Sequence, residues 1–180
     1  MHPKYEGLNC AYKIIPSLVG ELKLIAGDQG LVAILWEKVK AKPVPLGRLA
    51  ADDNHPILLE TERQLNEYFQ GARKLFSLQL QLIGTSFQVN VWQALLTIPF
   101  GETRSYGQLA RQLGNPNAMR AVGAANGRNP IPIVVPCHRV IGASGDLVGF
   151  GGGLQMKAQL LELERDATVL QKPTQLPLAV

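Results

Sequence analysis

The spacing of apolar and polar positions changes about halfway along the chain. Before residue 82 the apolar runs are short, alternating or β-branched. Residues 11–15 and 21–25 read as two strands joined through Pro16-Ser17-Leu18-Val19-Gly20, which predicts a hairpin. Asp28-Gln29-Gly30 is a turn signal, and residues 31–36 (Leu-Val-Ala-Ile-Leu-Trp) predict a third strand. Residues 38–56 mix charge, proline and small side chains and read as a loop. Ile57, Leu58, Leu65 and Phe69 then recur at helical spacing, ending at Gly71.

From residue 85 onward the period is helical. Phe87, Val91 and Leu95 share one face of a helix predicted to start near Thr85-Ser86 and stop at Pro99. Ser105 and Gln108 stand at capping-box spacing, in which each side chain satisfies the other's free amide. The helix they open runs from Tyr106 to about Leu113 and meets a stop at Gly114. Asn115-Pro116 supplies an N-cap and a first-turn proline for a second helix reaching about Gly127. Two short helices across a tight turn outline a helix-turn-helix. An ordinary helical hairpin with its alanines against the core fits the same pattern. The expected architecture is a small α/β N-terminal domain (antiparallel sheet plus helix, residues 1–82), then a mostly α domain with a helix-turn-helix (83–168) and a loose tail (169–180).

With 180 residues, 46% hydrophobic and 18% charged, the chain can build a real core and does not have a disordered composition. No apolar stretch is long enough to cross a bilayer, so no membrane partner is expected. The first six residues lack the layout of a signal peptide. Two cysteines far apart make a disulfide scaffold improbable, and a reducing cytoplasmic setting follows, or a nuclear one in a eukaryote. A net charge of +4 is compatible with a polyanionic partner without identifying one. Placement says more: Arg104, Arg111, Arg120, Arg128 and Arg139 gather around the helix pair and one cysteine, which predicts a cationic surface beside a thiol.

That cysteine lies in Pro136-Cys137-His138-Arg139-Val140, after the apolar run Ile131-Pro132-Ile133-Val134-Val135. A thiol reacts as its thiolate, and the thiolate fraction depends on nearby positive charge and bases. Cys137 is thus a candidate activated nucleophile, the alternative being a buried, inert thiol. Adjacent residues on an extended strand point to opposite faces, so His138 is expected to reach the Cys137 sulfur through a water. Cys10 has no clustered partner at ligand spacing, and His2 and His55 are expected at the surface, so no metal is predicted.

Residues 87–164 resemble the O6-alkylguanine-DNA alkyltransferases, also called methylated-DNA–protein-cysteine methyltransferases. Phe87-Gln88-Val89-Asn90-Val91-Trp92, Ile98-Pro99-Phe100-Gly101-Glu102-Thr103, Ser105-Tyr106, Gly114-Asn115-Pro116, Arg120-Ala121-Val122-Gly123, Asn126-Gly127-Arg128-Asn129-Pro130, Pro136-Cys137-His138-Arg139-Val140 and Gly152-Gly153-Leu154 occur in the family's order. The resemblance implies a cofactor-free, monomeric repair protein that works on the minor groove of double-stranded DNA. It flips out O6-alkylguanine (chiefly O6-methylguanine, with O4-methylthymine as a further substrate) and moves the alkyl group irreversibly to Cys137, once per molecule. His138 would be the base, Glu164 its orienting partner, Tyr106 a proton donor to guanine N3, and Asn129 a tie between the recognition helix and the active-site turn. Arg120 would fill the place of the extruded base, with Ser105, Met119, Ala121, Gly123 and Arg128 facing DNA. Pro132, Val140, Phe150, Gly151 and Gly152 would line the pocket.

The chain departs from the family in two ways, one being that it lacks the N-terminal Cys/His zinc ligands some relatives carry, which again predicts no metal. Phe150-Gly151 stands where many relatives have Tyr-Ser, which removes a hydroxyl able to bond guanine O6. Backbone amides of Gly151 and Gly152 remain as donors, and the glycine-rich loop is expected to admit bulkier alkyl groups. Without the resemblance, Glu164 reads as a solvated helix charge. Three rivals stand beside the repair reading: a non-catalytic alkylguanine sensor of the same fold, a cysteine hydrolase, and a regulatory DNA-binding module with an incidental thiol.

Overall fold

The computed structural model describes residues 8–36 and 48–170. Its N-terminal half is a four-stranded sheet in the order β3-β2-β1-β4, built from β1 (Asn9–Ile15), β2 (Leu22–Gly27), β3 (Gly30–Trp36) and β4 (Arg48–Ala51). β1, β2 and β3 form the expected antiparallel hairpins, with Tyr12 opposite Ile25 and Leu24 opposite Ile34. The apolar runs of β3 and of β2 after Lys23 are continuous because both faces are covered. Leu22, Leu24 and Ile34 face the main core, while Cys10, Ile25, Val32 and Ala33 form a smaller cluster on the other side.

β4 lies within the segment expected to be loop, and it pairs in parallel with β1, so the sheet is mixed. All four of its residues are exposed. It is held by backbone pairing rather than by side-chain burial, and burial is what an apolar pattern records. The rest of that loop, residues 37–47, lies outside the described residues, as does His2. α1 (Pro56–Phe69) then covers the sheet through Leu58, Leu65 and Tyr68.

The C-terminal half contains α2 (Ser86–Leu95), β5 (Arg104–Ser105), α3 (Tyr106–Gln112), α4 (Met119–Asn126), β6 (Val140–Ile141) and α5 (Leu154–Leu170). The expected capping box of Ser105 with Gln108 is formed at α3, and Thr85 with Gln88 forms a second one at α2 that the sequence reading did not name. The second helix of the pair starts later than its sequence suggests. Asn115 makes no side-chain cap bond, and Pro116 opens a 3-10 turn that ends at Ala118 before α4 begins. α5 continues through Leu170, so residues 169–170 of the expected tail are helical; residues 171–180 lie outside the described residues.

One apolar core runs through both halves, from Leu24 and Ile34 to Val122 and Val135. The backbone joins them too. Ile34 N–H donates to Pro130 O at 2.9 Å, while within the N-terminal half Leu31 N–H donates to Gln79 O at 2.8 Å. The outer edge of β3 is thereby covered by the segments flanking α1 and α4, which removes an open strand edge. Gly30 permits this approach: at φ +149°, an added Cβ would lie 2.5 Å from the Gln79 carbonyl oxygen.

Thr85→Ala should remove the α2 cap and lower the unfolding free energy by about 1 kcal/mol. Urea unfolding at neutral pH measures this, and an unchanged midpoint would show that the α2 start is held by packing alone.

Candidate active site

The Cys137 segment is a turn and not the extended strand expected from its apolar run. Cys137–Arg139 form one turn of 3-10 helix capped by Val140, whose N–H donates to Cys137 O. Three prolines and a left-handed backbone at Ile133 (φ 75°) prevent a regular strand here. Every residue from Ile131 to Val140 is buried, Pro132 and Val140 included. Asn129 braces the turn: its Nδ2 donates to Val135 O at 2.7 Å, and its Oδ1 accepts from Ile131 N–H at 3.0 Å. No hydrogen bond joins the Cys137 sulfur to the His138 ring among the described residues. The argument from strand alternation therefore falls away, although the separation of thiol and imidazole that it predicted remains.

His138 turns inward instead, its Nε2 2.8 Å from Glu164 Oε1 with both side chains fully buried. Glu164 is the hub of the site. Arg139 reaches it through Nε and Nη2 at 2.9 Å each, Tyr68 donates its hydroxyl at 2.7 Å, and Gly101 donates its N–H at 3.0 Å. Arg139 also donates from Nη1 to Ile98 O at 2.6 Å. Arg139 thus leaves the expected cationic surface: it is buried and its charge is spent on Glu164. Glu164 is likewise no solvated helix charge.

These contacts set the titration behaviour. Burial pushes the Glu164 carboxyl up, but the His138 and Arg139 hydrogen bonds and the Arg139 charge outweigh it, and its pKa settles at about 2. Burial lowers the His138 pKa against the pull of Glu164, so the ring is held neutral. With Nε2–H donated to Glu164, His138 Nδ1 is left as a buried acceptor with no protein partner among the described residues. Burial pushes the Cys137 thiol up to about 11, against the pull of the Asn129 amide and the Lys157 charge.

Lys157 has no counterpart in the sequence reading. Its buried ammonium donates to Val140 O, just past the cysteine turn, and to Val148 O at 2.7 Å, at the edge of the glycine-rich loop. A signal for it existed. Lys157, Leu160, Glu164 and Ala167 follow helical spacing along the buried stripe of α5, and a lysine and a glutamate on such a stripe require partners. Tyr68 carries no such signal, because it arrives from α1, 96 residues from Glu164 in sequence.

The helix pair is tied to the cysteine turn by the backbone, since β5 pairs in parallel with β6, Arg104 opposite Val140. This sets Tyr106 beside the site. Its half-buried ring lies against α4, with Gly123 leaving room for it: a Cβ there would stand 3.7 Å from the ring. Burial and nearby Cys137 raise the Tyr106 pKa, with the Asn126 amide acting against them. Asn126, buried in α4, was not singled out in the sequence. Met119, Arg120, Ala121 and Arg128 are exposed, and Arg120 makes no ion pair or hydrogen bond among the described residues. Ser105 faces the same side with its hydroxyl oxygen engaged in the α3 cap. Phe150 stands edge-on to His138 with ring centroids 6.5 Å apart. Gly151 is exposed beside it and Gly152 is half-buried.

Residues 10–82 match the family model described as 6-O-methylguanine DNA methyltransferase, ribonuclease-like domain, and residues 86–166 match the DNA binding domain of the same family. The chain belongs to the 6-O-methylguanine DNA methyltransferase family. It is 48% identical over 154 residues to a methylated-DNA–protein-cysteine methyltransferase of Methanosarcina acetivorans, covering 85% of this chain and 97% of that protein. A Mycobacterium leprae protein of the same name is 64% identical over 106 residues, 59% of this chain and 64% of its own length. Among solved structures, Mycobacterium tuberculosis OGT in complex with DNA superposes with a TM-score of 0.82 at 48% identity, over 87% of this chain and 94% of that one. Members of the family are named as enzymes, and the expected two-part architecture agrees with these structures. Among the described residues no three His, Cys, Asp or Glu side chains gather as a metal site would require, and no helix is long and apolar enough to cross a membrane.

Stability of the folded chain should fall on acidification in two stages. The depressed His138 pKa means that the unfolded chain takes up its proton first, so stability begins to drop as pH falls below about 6.5. The Glu164 contribution is fully present above its ordinary value of 4.5 and is lost as pH falls toward about 2. Denaturant midpoints measured from pH 7 to pH 2.5 test this, and Glu164→Gln should flatten the part below 4.5.

Proposed function

We propose that this chain repairs duplex DNA by taking the alkyl group of O6-alkylguanine onto Cys137 Sγ, once per molecule. The observation that carries this reading is the placement of a buried thiol and a neutral, Glu164-anchored histidine in one turn, tied through β5 and β6 to a helix pair with an exposed, uncommitted Arg120. A duplex hides the O6 edge of guanine, so the base must leave the stack to be reached. Arg120, at the start of α4, fills the gap it leaves. Alanine and glycine at 121, 123 and 124 let the helix backbone approach the minor groove closely. Met119 and Arg128 flank that contact, and Ser105 meets the backbone from the start of α3.

The flipped guanine enters between Tyr106 and the loop carrying Phe150, Gly151 and Gly152, with Val140 and Pro132 forming the buried floor. Cys137 Sγ attacks the alkyl carbon; the S–C bond forms as the C–O6 bond breaks. With the thiol pKa at about 11, the resting thiolate fraction at neutral pH is on the order of one in ten thousand. Deprotonation therefore belongs with the attack. His138 Nδ1 takes the proton through a water, and Glu164 stabilises the imidazolium that forms. The Lys157 ammonium and the Asn129 amide favour the thiolate. Tyr106 donates to guanine N3, which makes the base a better leaving group, and the thiol proton restores the balance. The thioether formed has no leaving step, so each molecule acts once. The protein works as a monomer without a cofactor, in the cytoplasm or in a nucleus.

Incubation with a duplex carrying O6-methylguanine, followed by peptide mass measurement, should place one methyl on the Cys137 peptide with at most one equivalent transferred. Repeated turnover would favour a hydrolase, and binding without transfer would favour a damage sensor.

Arg120→Ala should slow repair of the duplex by at least tenfold and leave reaction with free O6-benzylguanine within about twofold, because only the duplex requires extrusion. Equal losses on both substrates would remove Arg120 from that role.

A further inference from the structure

The loop beside Cys137 contains one side chain. Residues 149–153 read Gly-Phe-Gly-Gly-Gly, so nothing but Phe150 offers the surroundings a handle on it. A run of glycines loses more conformational freedom on ordering than any other sequence, and it needs external contacts to hold one shape. At its start the loop is fixed by Lys157, which grips Val148 O. At its end Gly153, with φ +92°, leads into α5, and its N–H donates to Phe150 O at 3.0 Å. Between these points the position of the loop depends on what meets Phe150.

What meets it comes from the other half of the protein. The Trp36 ring, at the end of β3, packs edge-to-face on Phe150 with centroids 5.4 Å apart and planes at 72°. This edge-to-face geometry suits the aromatic quadrupoles. Trp36 is itself oriented: its Nε1–H donates to Val19 O at 3.1 Å, in the turn joining β1 and β2. The contact extends to the loop backbone. An added Cβ at Gly152 would lie 3.1 Å from Trp36 Cε2, 3.1 Å from Phe150 Cε1 and 2.8 Å from Met156 Sδ. Gly152 is therefore enclosed by two rings and a thioether. On its other side the Phe150 ring faces His138.

We infer that Trp36 is a positioning residue of the N-terminal sheet that fixes the Phe150 wall of the alkyl pocket and thereby limits the size of alkyl group that reaches Cys137. This deepens the alkyl-transfer reading and rests on it. The glycine-rich loop is then no open gate. Its backbone is free to move in sequence terms, but its single side chain is clamped, and the clamp sets the width of the pocket. Removing the Trp36 ring lets Phe150 withdraw from His138 and widens the site for bulky groups more than for methyl.

The test is the ratio of second-order rates for alkylation of full-length protein at Cys137 by duplexes carrying O6-benzylguanine and O6-methylguanine. Trp36→Ala should raise the benzyl-to-methyl ratio by at least fivefold, and Trp36→Phe, which keeps an aromatic edge, should restore it to within about twofold of wild type. A purely structural role would lower both rates together and leave the ratio unchanged, which would overturn the inference. If Trp36→Ala fails to fold, Trp36→Leu preserves the burial without the ring and carries the same expectation. In a Phe150→Ala background the Trp36 substitution should shift the ratio no further; a shift of the same size there would also overturn it. Failure of the wild-type protein to alkylate Cys137 from either duplex would instead count against the alkyl-transfer reading.

Discussion

A carboxylate moved into a protein interior loses several kcal/mol of hydration, and it remains ionised there only if opposite charge and hydrogen bonds replace the water. Glu164 meets that requirement with donors from three parts of the chain: Tyr68 from α1, Gly101 from the loop after α2, and His138 and Arg139 from the cysteine turn. The same bonds that compensate its burial join those three segments to α5 at one point. Deleting Arg139 would leave an uncompensated buried charge, a loss of about 3–5 kcal/mol in comparable sites. His138 is thus oriented by the group that also holds the N-terminal helix against the C-terminal half.

The sequence discloses those parts of this arrangement that are local. The hairpins of β1–β3, the helix α1 and the caps at Thr85 and Ser105 are written in residues close together, and the structure contains them. The ordered motifs from Phe87 to Leu154 announce the family in the same way. Beyond the His138–Glu164 pairing that the family resemblance implied, long-range relations were not legible. β4 has no buried face to leave a pattern, and the inward turn of Arg139 depends on Glu164, 25 residues away. The extended reading of Cys137 failed because an apolar run records burial, whereas prolines and the left-handed Ile133 decide the backbone. Lys157 and Glu164 were readable in principle as ionisable residues on the buried stripe of α5, a conflict between pattern and chemistry that marks functional positions.

The two halves of the chain cooperate in an unequal way. The C-terminal half contains the thiol, the His138–Glu164 pair and the helix pair, yet it is completed from outside by three contacts: Tyr68 on Glu164, the β3 edge on Pro130, and Trp36 on Phe150. Each comes from an element whose sequence carries no chemical signature. The N-terminal domain is the frame in which the cysteine turn and its neighbouring loop have a fixed geometry.

The loop from Val148 to Gly153 is held by two contacts of different kinds, and substitution acts on them differently. At Val148 the partner is an ammonium with no exposed surface that also serves Val140. An arginine there would have no room, and an apolar residue would take the ammonium from two carbonyls, leaving Val148 O only the long contact from the Tyr106 hydroxyl at 3.5 Å. At Phe150 the partner is an oily edge, which accepts a change of ring or a trimmed side chain at modest loss. One end of the loop is therefore frozen against mutation and the other is open to it. A descendant of this sequence could retune the substrates it accepts at a single pair of aromatic positions, leaving the thiol and its relay untouched.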